Sequence, residues 1–72
     1  MTQYLILFEK NSNGHFGAWV PDLPGCVSFG GTIDEAKQNI REAIAFHIEG
    51  LKIENLPIPR ISTFAETLQI AV

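Results

Sequence analysis

The side chains best suited to chemistry in this chain are the carboxylates Glu9, Asp22, Asp34 and Glu35, the histidines His15 and His47, and the lone cysteine, Cys26. Converging carboxylates can hold a pair of divalent ions and drive phosphodiester hydrolysis. The predicted placement of these four argues against that chemistry. Glu9 closes a strand beside a turn, and Asp22 sits in a tight proline loop. Asp34 and Glu35 open a helix, where the dipole alone favours acidic residues. His15, Cys26 and His47 are 11 and 21 residues apart, which matches no recognised zinc-ligand spacing. His47 falls on an apolar stripe, as a hydrogen-bonded core residue would, and Cys26 behaves as a small apolar side chain. No catalytic residue, metal or cofactor is expected.

The elements that must position these residues follow from local pattern. Residues 3–9, Gln-Tyr-Leu-Ile-Leu-Phe-Glu, are apolar on both faces, as a strand is when each face meets a neighbour. Asn13-Gly14 predicts a type I′ hairpin turn. A second strand over 15–20 then sets Phe16, Ala18 and Val20 on one face and Trp19 on the other. Pro21 holds Val20 extended, and Pro24-Gly25 supplies the fixed and then positive φ of a type II turn before a third strand over 26–30. Thr32 and Glu35 fit a capping box. The helix after it stripes Ile33, Ala36, Ile40, Ala43, Ile44, His47 and Leu51 onto one face and fades between Gly50 and Asn55, ahead of Pro57 and Pro59. After a linker, residues 66–72 alternate Leu68, Ile70 and Val72 with Thr67, Gln69 and Ala71, which predicts a fourth strand. A right-handed crossover would place it parallel to and beside the first. The expected fold is a single α+β domain, β-β-β-α-β, with a four-stranded mixed sheet of order 3-2-1-4 and one helix packed on one face.

Seventy-two residues make one small domain, yet 46% of them are hydrophobic. So rich a content in so short a chain implies that some apolar surface meets a partner, so a homodimer or tetramer is expected. Phe46, off the helical stripe, and Leu68 and Ile70 of the fourth strand are the self-association candidates. The formal charge of −3 disfavours nonspecific attraction to nucleic acid or anionic membranes and suits a basic protein partner. With one cysteine, no basic leader and no apolar run near 20 residues, a cytoplasmic protein is expected.

The run Pro21-Asp22-Leu23-Pro24-Gly25-Cys26, followed by Gly30 and Thr32-Ile33-Asp34-Glu35-Ala36, resembles the signature of HicB-family antitoxins. Tyr4, Gly14, Asn39, Glu42-Ala43-Ile44, His47 and Ile58-Pro59 continue the pattern, so the resemblance spans residues 4–59. It implies a truncated ribonuclease H-like fold, and it implies an antitoxin that binds a small basic HicA-type messenger-RNA-cleaving toxin and occludes its active site. Such toxins resemble double-stranded-RNA-binding folds and use a histidine, so Glu9, Asp22, Asp34 and Glu35 become candidates for the toxin contact, while Pro21, Pro24, Gly25 and Thr32 are its structural motif. Many members carry a helix-turn-helix or ribbon-helix-helix domain after the fourth strand. This sequence stops at Val72 without a basic cluster, so direct DNA binding is not expected. The alternative is a homo-oligomeric scaffold or small-molecule-binding domain without a toxin partner.

Overall fold

Three short turns and the two caps of one helix organise the structure. In the computed structural model, which describes residues 2–72, Asn11 accepts through its side-chain oxygen from the N–H groups of Asn13 and His15. Gly14 takes φ +83° and donates to the Asn11 carbonyl. Asn13 keeps a negative φ, so the type I′ turn expected of Asn-Gly does not form; the Asn11 side chain holds the first residues of the turn and leaves only Gly14 in the left-handed region. The hairpin joins β1 (Leu7–Lys10) to β2 (Phe16–Trp19).

The proline loop behaves as its residues dictate. Leu23 N–H donates to Val20 O and Cys26 N–H to Leu23 O, each at 3.0 Å, two successive turns with Gly25 at φ +84° in the second. They return the chain into β3 (Val27–Gly30), giving an antiparallel sheet of order β1-β2-β3.

Thr32 Oγ1 accepts from Glu35 N–H at 3.1 Å and starts α1 (Ile33–Ile53). Glu35 completes the capping box one residue further back than expected, on Gly31 N–H at 3.0 Å. At the other end Asn55 takes φ +56°, with Asn55 N–H on Lys52 O and Leu56 N–H on Leu51 O, the two bonds of a Schellman cap. The helix lies across β3 and β2, burying Ile40 against Ala18, Val20, Leu23 and Cys26 and setting the buried Ala36 against Gly30. Ala43, Ile44, His47 and Leu51 are half-buried along the same stripe, while Ile33 at its start is exposed. Tyr4, Ile6 and Phe8 extend this core past the β1 edge.

The expected fourth strand is absent, and the sheet has three strands, not the order 3-2-1-4. A strand requires a ladder, and no backbone hydrogen bond ties residues 66–72 to any other described residue. Pro57 and Pro59 lack donors. Beyond them, Asp22 pins Ser62 and Thr63 beside the proline loop, and the chain leaves the body with Leu68 74% and Ile70 68% exposed. The first strand is also shorter than expected, because residues 3–6 make no ladder.

Candidate functional site

The helix covers one face of the sheet and leaves the other open. Alternation along the paired strands puts Leu7, Trp19 and Val27 in one row and Glu9, Gly17 and Phe29 in the next, all on the uncovered face. Gly17 has no side chain to fill its place, and the Phe29 ring lies over it. Phe29 is 69% exposed and Val27 53%, while Trp19 is half-buried between Leu7 and Val27. The result is a shallow apolar depression lined by Trp19, Val27 and Phe29, with Glu9 and Asn11 at one end. Around the β3 edge a second depression, formed by Gly25, Cys26, Val27, Ala43, Phe46 and His47, continues this surface toward α1. Phe46 stands over it, 83% exposed. Neither depression offers converging polar groups of the kind that orient a substrate; both present apolar side chains in the manner of a protein-binding surface.

The four candidate carboxylates do not form one centre. Glu9 lies at the open face, and Asp34 and Glu35 are exposed in the first turn of α1. Asp22 is only 8% exposed and is fully occupied. One of its oxygens accepts from the N–H groups of Ser62 and Thr63 at 3.0 and 3.2 Å, and the other from their hydroxyls at 2.9 and 2.7 Å. These donors, led by the Thr63 hydroxyl and the Ser62 N–H, hold its pKa down to about 2 against the opposing effect of desolvation. Among the described residues no three of the His, Cys, Asp and Glu side chains come together as metal ligands. Burial pushes the Cys26 thiol up, which disfavours the reactive thiolate.

Two further contacts position these surfaces; Tyr4, Asn39 and Pro59, which make them, belong to the pattern that carried the resemblance, but nothing in that pattern said what they touch. Asn39 Nδ2 donates to Phe29 O at 2.7 Å, fixing α1 to the outer edge of β3. The Tyr4 hydroxyl donates to Pro59 O, tying the start of the chain to the segment after the helix. Each spans many residues, so no local spacing announces it.

The structure defines a small α+β domain with one bare, apolar sheet face and separated carboxylates. The chain belongs to the HicB_like antitoxins of bacterial toxin-antitoxin systems, whose family model matches residues 4–71. These are regulatory proteins and not enzymes. A UPF0150 protein of Synechocystis is 44% identical over 69 residues, covering 96% of this chain and 87% of that protein. One from Thermoplasma acidophilum is 45% identical over 58 residues, covering 81% of this chain and 84% of its own. The crystal structure of the N-terminal domain of Burkholderia pseudomallei antitoxin HicB superposes with a TM-score of 0.73 at 41% identity, over 81% of this chain and 69% of that one. A chain of a HicA3 and HicB3 toxin-antitoxin complex superposes at 0.66 and 39% identity, over 78% and 64% of the two chains. No helix among the described residues is long and apolar enough to cross a membrane.

Proposed function

We propose that this chain neutralises a small basic HicA-type RNA-cleaving toxin by lying over its active site and excluding RNA. The observation that carries this reading is the uncovered sheet face, with Trp19, Val27 and Phe29 exposed or half-exposed beside Glu9 on a chain of net charge −3. Family membership and the likeness to a chain of a toxin-antitoxin complex support it. Apolar contact supplies affinity, and the carboxylates meet a basic RNA-binding surface, speeding encounter and fixing orientation. Glu9, Asp34 and Glu35 are the exposed charges available for that contact. Asp22 acts from beneath, by shaping the loop and the segment pinned to it.

The test is co-expression with the small basic protein encoded beside this one, read by pull-down and by ribonuclease activity together. The expected result is a stable complex with cleavage silenced. Glu9→Lys combined with Asp34→Lys should slow association at low salt by roughly tenfold or more and leave the dissociation rate nearly unchanged. Association that ignores both charge reversal and salt would refute the electrostatic part, and undiminished cleavage in a stable complex would refute occlusion.

A further inference from the structure

The chain contains a strand without a sheet edge and a sheet edge without a strand. Residues 66–72 alternate three aliphatic side chains with smaller or polar ones, and all seven are exposed, Leu68 at 74% and Ile70 at 68%. The outer edge of β1 is equally bare. Asn11 N–H bonds to His15 O in the hairpin ladder, so Glu9 and Leu7 turn their backbone groups toward β2, while Phe8 and Lys10 direct theirs outward, where no strand lies. Below that edge an open groove of about 440 Å³ runs between the sheet and the helix, lined by Tyr4, Ile6 and Phe8 on one side and Ile40 and Ile44 on the other, with Lys37 and Arg41 at its rim. It occupies the space that the helix-facing side chains of one more strand would fill.

We infer that residues 66–72 of each chain add to the outer edge of β1 in a second copy, exchanging strands reciprocally in a two-fold dimer. Dimensions agree: at about 3.3 Å per residue, residues 68–72 extend for ~17 Å, the same length as residues 6–10, which lie beyond the stretch where Ile61, Thr63, Phe64 and Ala65 flank Gln3, Tyr4 and Leu5. Patterns agree as well, because period two puts Leu68, Ile70 and Val72 together on the face that enters the groove. The tail does not pair with its own edge: Asp22 pins Ser62 and Thr63 beside the proline loop, and beyond them residues 66–72 are exposed and make no backbone hydrogen bond to another described residue. The extended shape, 48 × 27 × 19 Å with a radius of gyration of 14.1 Å, exceeds the ~11 Å expected of a compact 72-residue domain. Reciprocal exchange closes both edges with one symmetric contact, satisfies the outward backbone groups and buries the apolar tail. The inference stands apart from the toxin reading, because it uses neither the bare sheet face nor the carboxylates.

The experiment is a measurement of native mass on the full chain, followed by isotope-filtered NMR on a mixture of labelled and unlabelled protein. The expected result is twice the 8.0 kDa chain mass, with contacts from Ile70 methyls of one copy to Phe8 and Ile44 of the other, and slowed amide exchange in residues 68–72. Leu68→Asp with Ile70→Asp alters only residues exposed in the single chain, so the helical signal should persist while the dimer dissociation constant rises at least a hundredfold. A monomer in the micromolar range overturns the proposal, whether its tail is unprotected, closed on its own edge, or ordered only when a toxin is added. A dimer unchanged by the double substitution overturns it too and moves the interface to the flank carrying Phe46.

Discussion

Asp22 joins the proline loop to a dipeptide 40 and 41 residues further along, and it accepts all four of the hydrogen bonds, which together favour the ionised carboxylate. Its pKa is lowered from 3.8 to about 2, so the folded state favours the charged form. The stabilisation is therefore fully present above about pH 4 and is lost as pH falls toward 2. Carboxyl NMR of the intact chain should give an Asp22 midpoint near 2, with the Ser62 and Thr63 amide resonances moving together with it. A midpoint at the ordinary value would mean that the latch is open in solution. The turn around Asp22 was legible, because Pro21, Pro24 and Gly25 dictate it locally. The latch was not, because nothing near Asp22 in sequence distinguishes a carboxylate facing a protein partner from one that meets its own chain's Ser-Thr pair.

Among the elements, the helix was the most legible, since a cap and a stripe are written in neighbouring residues. Thr32, Ala36 and Ile40 take the places that spacing assigned them, and Glu35 caps one residue further back, on Gly31. What spacing does not show is how closely the helix approaches the sheet. A Cβ on Gly30 would stand 2.4 Å from the Ala36 nitrogen and 2.9 Å from its Cα, both backbone atoms that cannot yield. Gly30→Ala should therefore push α1 off β3 and cost about 1–3 kcal/mol in urea unfolding, as overpacking does. Gly31→Ala, whose added carbon would meet only the flexible Glu35 side chain at 3.9 Å, is the control and should be nearly neutral. The fourth strand shows the opposite limit of pattern. Leu68, Ile70 and Val72 alternate as strand residues do, yet alternation reports a preference for a flat, half-buried surface and not the presence of one within reach.

At the scale of the molecule, composition pointed to surplus apolar surface, and the structure locates it on the uncovered sheet face, around Phe46 and along the tail. The motif identified the family because its residues lie close together in sequence. It did not identify the surface proposed to meet a toxin, whose residues come from β1, β2 and β3 and which depends on what the helix fails to cover. The exposed tail also bears on the lifetime of the molecule. Proteases act on exposed chain outside helices and strands, and residues 64–72 are of that kind, with Phe64 85% and Leu68 74% exposed, whereas Leu23 and Ala36 in the body have no exposed surface. Brief chymotrypsin treatment of dilute protein should cut after Phe64 or Leu68 and leave a resistant helix and sheet, as mass spectrometry would show. The first cut then needs no unfolding, and turnover is governed by how often the tail is covered and not by how stable the core is.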